Sequence, residues 1–359
     1  MMKAKFLVYA VILLSGLFSA CTKTQKEEIK PQNVILLIGD GMGVNQIFAG
    51  ITANKGKLNM EKCQYIGFQK TQSADNYITD SAAGGTALST GKKTNNRYVG
   101  VDTAGNILTT ILQYAEKKNL ATGLVSTSAV THATPASFIA HQKNRNDYDA
   151  IAADFLKTDV DVVIGGGRKS FNSREDGRNL LKELEKNDYQ IFDHIPEADD
   201  QISSKFYAFT HDEHNPPINK GRKDMLPAAT KVAIEHLSKT ENGFFLMVEG
   251  SQIDWGGHDN DTDYVISEVI DFDAAVGQAI QFAENNTNTL VIVTADHETG
   301  GFTLLNGDMK NGSVEGAFST GGHTGVMVPV FAYGPGAKEF IGIYENTEIF
   351  NKIRSLLEL

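Results

Sequence analysis

The feature that most constrains the fold is a series of short apolar segments that alternate with helical patterns. Six segments have the composition of buried strands: residues 33–40, 122–128, 159–167, 243–250, 289–297 and 329–334. Four segments between them carry helical spacing of apolar residues: 107–118, 177–187, 227–239 and 263–286. Uninterrupted apolar runs are typical of parallel strands buried on both faces. The alternation therefore predicts an α/β three-layer sandwich around a mostly parallel central sheet.

The N-terminus has the pattern of an export signal. Two early lysines precede an apolar stretch, and a Ser-Ala pair precedes Cys21. This pattern predicts a lipoprotein-type signal peptide over residues 1–20 with Cys21 as the lipidated residue, or alternatively a plain secretory signal cleaved nearby. Polar residues 21–31 would form a tether, and residues 32–359 one domain without a dividing linker. We therefore expect export to the periplasm or cell surface, with membrane contact only through the lipid.

Composition limits the partners and the metal ligands. The formal net charge of −11 argues against a nucleic-acid partner. The chain has two cysteines, so lipidation of Cys21 leaves Cys63 alone and no internal disulfide can form. Any bound metal would therefore use histidine and carboxylate ligands.

Acidic residues and a histidine follow three of the predicted strands. Asp40 follows the first strand, Glu249 closes another, and Asp296 and His297 close a third. In open α/β sheets, ligands bind beyond the carboxyl ends of the strands. We therefore expect these side chains to share one site, and aspartate and histidine ligands suit zinc.

Four further positions extend this pattern. Asp254 and His258 are four residues apart and would share one face of a helix, although the two glycines between them also allow a turn. His323 lies in a loop bracketed by glycines. Thr134 would add a hard oxygen ligand for magnesium, or alternatively would cap a helix whose first residue is Pro135.

The stretch ITDSAAGGTALSTG, residues 78–91, places an acid and a hydroxyl before a run of small residues. One interpretation is a tightly packed helix start with Asp80 or Ser81 as the N-cap. The other is a reactive serine that needs close approach by its surroundings.

Six segments taken together resemble the alkaline phosphatases. In order they are IGDGMG, TDSAAGGTALSTG, THATPASFIAHQKNR, VEGSQIDWGGH, TADHETGG and GGHTG. The resemblance implies hydrolysis of small phosphate monoesters through a phosphoserine intermediate on Ser81. It also implies two zinc ions, one magnesium ion and a homodimer.

The resemblance assigns roles to individual residues. The implied ligands are Asp254, His258 and His323 for one zinc ion, Asp40, Asp296 and His297 for the other, and Asp40, Thr134 and Glu249 for magnesium. Arg145 would bind two phosphate oxygens, and Asp80 would orient Arg145. Arg145 alone would otherwise be interpreted as a solvated surface residue.

Two positions depart from some family members, which carry Asp at the place of His132 and Lys at the place of Trp255. The departures resemble a second group of members. Because the replaced groups contact phosphate or the water shell of magnesium, we predict looser binding of product phosphate and an easily lost magnesium ion. Packing at the rim of the site is an alternative role for Trp255.

The segment THDEHNPP matches no functional position of the family. His211 and His214 could form an extra metal cluster, but a mobile surface loop is the favoured interpretation. The surrounding residues, 195–226, are expected to be irregular.

Two other functions are consistent with this kind of fold. A sulfatase would need a Cys/Ser-x-Pro-x-Arg signature, which the Ala-Ala-Gly-Gly after Ser81 does not match, whereas diesterase side activity stays open. A non-catalytic lipoprotein that binds phosphate or metal would tolerate loss of the nucleophile or of a ligand, yet every expected position is filled.

Overall fold

The computed structural model of the chain describes residues 30–197, 202 and 204–359. The predicted signal peptide, Cys21 and most of the predicted tether lie outside the described residues. Among the described residues, no helix combines the length and the apolar composition needed to cross a bilayer.

The described residues form fourteen strands: β1 (Asn33–Gly39), β2 (Tyr65–Lys70), β3 (Ala121–Ala129), β4 (Val162–Gly166), β5 (Gln190–Phe192), β6 (Phe206–His211), β7 (Phe244–Gly250), β8 (Thr289–Thr294), β9 (Glu298–Thr299), β10 (Thr303–Asp308), β11 (Ser313–Ala317), β12 (His323–Thr324), β13 (Val328–Tyr333) and β14 (Gly342–Glu345). They form eleven α-helices: α1 (Val44–Ala53), α2 (Ser81–Thr90), α3 (Ile111–Lys117), α4 (Ala133–Ala136), α5 (Tyr148–Phe155), α6 (Lys169–Asn172), α7 (Leu180–Lys186), α8 (Met225–Leu237), α9 (Gln252–His258), α10 (Thr262–Asn285) and α11 (Thr347–Leu356).

Ten of the described strands form one sheet in the order β14-β2-β13-β8-β1-β7-β3-β4-β6-β5. Neighbouring strands are parallel except where β13 meets β2 and β8, to which it is antiparallel. The prediction of a mostly parallel α/β sheet is confirmed. The inclusion of residues 329–334 among the parallel strands is wrong, because β13 returns without the helical crossover that a parallel strand needs.

Helices cover both faces of the sheet, and β1 shows how one strand serves both. Val34, Leu36 and Ile38 belong to a hydrophobic cluster that includes residues of α2, α3, α5, α7 and α11, whereas Ile35 and Leu37 belong to one that includes residues of α1, α8 and α10. Because successive strand side chains point to opposite faces, a strand covered on both sides must be apolar throughout. This double burial holds the carboxyl ends of the central strands rigidly at one edge.

Two helices begin later than their apolar patterns suggest, because polar residues cap them. Thr110 Oγ1 accepts a hydrogen bond from Gln113 N at 3.2 Å, and Gln113 Oε1 accepts one from Thr110 N at 3.1 Å. This reciprocal capping box starts α3 at Ile111 rather than at residue 107. Asn179 caps α7 in a similar way.

Candidate active site

The central strands bring the predicted acids to one edge of the sheet. β1 lies between β7 and β8 and is parallel to both. Asp40 directly follows β1, Glu249 is the second-last residue of β7, and Asp296 follows β8 by two residues. All three side chains are buried, at 0–1% exposure. Buried carboxylates need hydrogen bonds or cations, so this edge is built to hold charge.

Ser81 is the first residue of α2 and faces the same edge. Its side chain is 1% exposed, and its Oγ lies 3.2 Å from Nε2 of His297. Asp80 is the N-cap residue, because its Oδ1 accepts a hydrogen bond from Ala83 N at 3.0 Å. The sequence-based N-cap interpretation thus holds for Asp80, and it leaves the Ser81 hydroxyl free to face the acids.

The small residues of α2 allow the helix to lie directly against the acids. All ten residues of α2 are buried. A Cβ atom added to Gly84 would lie 3.1 Å from Cβ of Asp296, and one added to Gly85 would lie 2.4 Å from Oγ of Ser137. Larger side chains at these two positions would therefore push α2 away from Asp296. The N-terminus of α2 is held where its amides favour an anion.

Asp254, His258 and His323 form one compact cluster. Residues 254–258 are helical despite their two glycines, and Nε2 of His258 lies 3.3 Å from Oδ2 of Asp254. Nε2 of His323 lies 3.4 Å from Oδ1 of Asp254 and 3.2 Å from Nε2 of His258. The two histidines therefore turn the same nitrogen toward each other and toward one carboxylate.

Backbone carbonyls fix which nitrogens face each other in this cluster. Nδ1 of His258 lies 2.7 Å from the Gly321 carbonyl, and Nδ1 of His323 lies 2.8 Å from the Thr79 carbonyl. Each Nδ1–H donates to its carbonyl, so the two Nε2 lone pairs converge. Converging lone pairs beside a carboxylate need a proton or a cation between them. In the metal-free protein, Asp254 raises the pKa of His258 to about 9, and a zinc ion fits the same set of donors.

Asp40, Asp296 and His297 form a second cluster beside Ser81. Nε2 of His297 lies 3.4 Å from Asp40 Oδ1 and 3.4 Å from Asp296 Oδ2. Neither carboxylate oxygen accepts a hydrogen bond from any described residue. Burial, followed by repulsion from Asp296, raises the pKa of Asp40 well above its usual range. Burial and the charge of Asp254 raise the pKa of Asp296 to about 7. A bound cation would offset both the burial of these carboxylates and the repulsion between them, so the cluster also fits a metal ion.

A third group lies around Glu249. Its Oε2 accepts hydrogen bonds from Ser126 Oγ at 2.5 Å and Ser251 Oγ at 2.6 Å, whereas its buried Oε1 has no hydrogen-bond donor in the described chain. Thr134 Oγ1 lies 3.5 Å from Oδ2 of Asp40. Thr134 lies inside α4, whose N-cap is His132, so the alternative that Thr134 caps the helix is wrong.

His132 lies closer to this third group than the sequence suggests. One ligand atom from each of Asp40, His132 and Glu249 lies within 4.8 Å of the others. Nδ1 of His132 is buried without a hydrogen-bond partner among the described residues. The sequence places His132 only as a possible outer neighbour of the magnesium site, whereas the geometry allows its ring nitrogen to reach an ion held by Asp40 and Glu249.

Arg145 is held between two side chains rather than solvated. Its Nη1 lies 3.0 Å from Oδ2 of Asp80, and its Nη2 lies 3.3 Å from Nε2 of His132. Its side chain is 17% exposed, so part of it is accessible to solvent. Burial favours the neutral form, but Asp80 outweighs it and raises the pKa of Arg145. A fixed cation at this place can bind an oxyanion.

Trp255 and His214 complete the rim beside His132. The Trp255 indole lies 6.0 Å from the His132 ring and 5.0 Å from the His214 ring, both edge to face. His211 closes β6 and is exposed, whereas His214 lies in the following loop and is half-buried. The loop placement is therefore confirmed for His214, whereas His211 belongs to a strand.

Sequence reasoning missed several hydroxyls that support the ligands. Thr299 Oγ1 donates a hydrogen bond to Asp254 and lies 3.3 Å from Nδ1 of His297. Ser126 and Ser251 support Glu249. Thr299 and Ser251 each follow a ligand by two residues, a position that many structural hydroxyls share, and Ser126, inside β3, carries no such signal.

A buried hydroxyl at a helix N-terminus, beside converging carboxylates and imidazoles, defines a metal-dependent hydrolase. Comparisons with known proteins specify the family. The family model described as alkaline phosphatase matches residues 31–317 and 306–359. The chain belongs to the alkaline phosphatase family and is a phosphoric monoester hydrolase.

Curated relatives and solved structures agree with this assignment. Alkaline phosphatase 3 of Bacillus subtilis (strain 168) is 35% identical over 94% of this chain and 90% of its own length. The alkaline phosphatase of Escherichia coli (strain K12) is 32% identical over 96% and 90%, respectively. The structure of alkaline phosphatase from the Antarctic bacterium TAB5 has a TM-score of 0.87 and 45% identity, and it covers 92% of this chain and 99% of that one. A His-to-Asp variant of the TAB5 enzyme has been solved with Mg bound in a site called M3, with a TM-score of 0.88 and 44% identity over the same shares.

Proposed function

We propose that Ser81 is the nucleophile of phosphate monoester hydrolysis in this chain and that Arg145 binds the phosphate. One observation carries the proposal: the buried Ser81 Oγ lies 3.2 Å from His297 Nε2, at the start of a helix that lies against Asp296. A serine hydroxyl is almost fully protonated at neutral pH and needs activation. A cation held by the second cluster, beside Ser81, would supply that activation without a Ser-His-Asp triad.

We infer that the three clusters hold two zinc ions and one magnesium ion. The first zinc ion would be held by Asp254, His258 and His323, the second by Asp40, Asp296 and His297, and magnesium by Asp40, Thr134 and Glu249. The carboxylate oxygens that lack a hydrogen-bond donor and the facing imidazole nitrogens support this donor set. When bound, such cations lower the pKa of an oxygen nucleophile and stabilise the entering and leaving oxygens.

The reaction needs two displacements at phosphorus. First, Ser81 Oγ gives up its proton to solvent and forms a bond to phosphorus while the bond to the ester oxygen breaks, and the released alkoxide takes a proton from solvent. Water then attacks from the vacated side, Ser81 leaves with a proton, and inorganic phosphate is released. Arg145 binds two phosphate oxygens in both steps, and Asp80 keeps its guanidinium in place. Two inversions predict net retention at phosphorus.

The replacement of Ser81 tests the proposal. Purified wild type, Ser81→Ala and Ser89→Ala would be compared for hydrolysis of an aryl phosphate monoester, a diester and an aryl sulfate, and for zinc and magnesium content. Ser89 is a matched control, since it is also buried in α2. We expect Ser81→Ala to lose at least about a thousandfold in monoesterase activity with metal content kept. Monoesterase activity that survives in Ser81→Ala, or active protein without zinc, would contradict the mechanism.

Preferential hydrolysis of the diester would favour a phosphodiesterase, and preferential hydrolysis of the sulfate would favour a sulfatase. Metal binding without hydrolysis of any of the three would favour the non-catalytic lipoprotein.

We also propose that the chain is exported, that residues 1–20 are removed and that Cys21 carries the lipid. The charged start, apolar stretch and small residues before Cys21 support this. A homodimer is proposed from the family resemblance, and light scattering after size exclusion would measure it. Neither proposal involves nucleic acid, since the net charge is −11.

A further inference from the structure

The loop between β6 and α8 is fastened to the body of the protein at several points. The carbonyl of Asn215 accepts a hydrogen bond from Gln252 Nε2 at 2.8 Å. The backbone N–H of Ile218 donates to Glu268 Oε1 at 2.9 Å, and Arg222 Nη1 donates to the same oxygen at 3.2 Å. The Arg222 and Glu268 side chains are only 1% and 2% exposed. The loop is therefore a fixed element on which a side chain can be held in one place.

His214 is the residue that this loop presents to the site. Its Nδ1 accepts a hydrogen bond from the backbone N–H of Ala129, at the end of β3, at 3.0 Å. Since Nδ1 is the acceptor, the ring is neutral and carries its proton on Nε2. This hydrogen bond sets the plane of the ring.

The His214 ring contacts both residues that distinguish this site. Its centroid lies 5.0 Å from the Trp255 ring at 87° and 5.4 Å from the His132 ring at 89°. Edge-to-face pairs at these distances are a favoured aromatic geometry. His132 in turn lies 3.3 Å from Nη2 of Arg145. A line of contacts thus runs from the fixed loop through His214 to the guanidinium.

We propose that His214 is a positioning residue that holds Trp255 and His132 beside Arg145, so that phosphate meets a preformed rim. The proposal rests on the proposed function for the role of Arg145. Loss of the His214 ring leaves space into which the Trp255 indole and the His132 imidazole can rotate. His132, one of the two side chains that contact the Arg145 guanidinium, is then no longer fixed in position. The affinity for phosphate therefore falls by a larger factor than kcat does.

The chain offers a direct probe of this arrangement, because Trp255 is its single tryptophan. Acrylamide quenching of tryptophan fluorescence therefore reports on one indole. The variants are His214→Ala, His214→Phe, which keeps a ring, and His214→Asn, which keeps an acceptor for Ala129. His211→Ala is the control, because His211 is an exposed histidine at the end of β6, directly before the same loop.

We expect His214→Ala to raise the quenching constant about twofold, with the emission maximum shifted to the red. Its KM and the inhibition constant of inorganic phosphate should rise about threefold to tenfold, the range that one or two aromatic pairs supply, with kcat within about twofold of wild type. His214→Phe should restore both properties, His214→Asn should not, and His211→Ala should match wild type.

Three results would overturn the proposal: an unchanged quenching constant in His214→Ala, rescue by His214→Asn but not by His214→Phe, or the same KM change in His211→Ala. If His214→Ala does not fold, the quenching constants and KM values of His214→Phe and His214→Asn still test whether the ring or the hydrogen-bond acceptor matters. Absence of phosphate monoester hydrolysis in the wild-type protein would refute the proposed function. Fluorescence quenching does not depend on hydrolysis, so it would still test whether His214 positions Trp255.

Discussion

The carboxylate of Asp80 joins the start of the Ser81 helix to the guanidinium of Arg145. Its Oδ1 accepts a hydrogen bond from Ala83 N at 3.0 Å, and its Oδ2 lies 3.0 Å from Arg145 Nη1. The same Oδ2 also accepts a hydrogen bond from Arg97 N at 3.0 Å. One side chain therefore sets the distance between the proposed nucleophile and the phosphate-binding cation.

The two oxygens of Asp80 allow its two roles to be separated. Asparagine is a good N-cap, so Asp80→Asn should keep the start of α2 while weakening the ion pair with Arg145. We expect the phosphate inhibition constant and KM to rise about threefold to tenfold, more than kcat falls, because a charge-assisted contact that orients the guanidinium is lost. Asp80→Ala should show the same kinetic change and also lose about 1 kcal/mol of stability with the cap. Steady-state kinetics and urea unfolding measure both effects, and identical stabilities of the two variants would contradict the capping role.

Removal of metal should make stability depend on pH in a defined direction. The pKa of buried Asp296 in the metal-free protein is about 7, against 3.8 in an ordinary aspartate. Between these values the folded protein holds a proton that the unfolded chain has released, so the free energy of unfolding falls as pH rises through this window. We expect chelator-treated protein to lose roughly 1–3 kcal/mol between pH 5 and pH 8, measured by urea unfolding. Added zinc and magnesium should reverse the loss at pH 8.

Asp296→Asn should make this loss of stability smaller in the metal-free protein, because asparagine does not titrate, while the raised pKa values of Asp40 and His258 still contribute to it. Asp212→Asn is the control, since Asp212 is exposed. A metal-free wild type whose stability is constant or rises from pH 5 to pH 8 would refute the repulsion among the acids.

Trp255→Lys should tighten the binding of product phosphate. The indole lies beside His132, which contacts Arg145, so an ammonium group at this position would approach the phosphate. We expect the phosphate inhibition constant to fall about tenfold, the effect of one charge-assisted hydrogen bond. Trp255→Phe, which keeps a ring without a charge, is the control. If the inhibition constant in Trp255→Lys stays at the wild-type value, Trp255 serves only to pack the rim.

Lipidation should depend on Cys21 and not on Cys63. Cys63 is buried, and burial raises the pKa of its thiol to about 12, so it is a poor nucleophile. In cells given a clickable fatty acid, we expect Cys21→Ser to abolish labelling and to release the protein from the membrane fraction. Cys63→Ser should retain both. Labelling that persists in Cys21→Ser would refute the anchor and favour a plain secretory signal.

The central strands are predictable from the sequence because double burial makes them apolar throughout. The sequence predicts strands over residues 33–40 and 243–250, and the structure has β1 at Asn33–Gly39 and β7 at Phe244–Gly250. Strands at the margin escape prediction, because β2 and β14 carry exposed residues and lack a continuous apolar run. The short apolar run of β6 lies within residues 195–226, whose polar residues and prolines indicate an irregular segment instead.

The metal ligands are predictable for a related reason, since neighbouring parallel strands place the residues at their carboxyl ends along one edge. His214 is not predictable in this way, because its place depends on contacts of the loop with distant residues such as Glu268. Its aromatic neighbours come from α9 and from the start of α4, and no local sequence pattern joins these three segments.

The direction of β1 places the proposed lipid anchor and the proposed active site on opposite sides of the domain. The strand begins at Asn33 at one edge of the sheet and delivers Asp40 to the other edge. The predicted tether, residues 21–31, joins the domain just before β1. A lipid on Cys21 would therefore tether the domain on the side where β1 begins, while the strand ends that carry Asp40 and Glu249 lie on the opposite side. Esters dissolved in the surrounding medium would then approach Ser81 and Arg145 from the side of the domain that lies opposite the anchor.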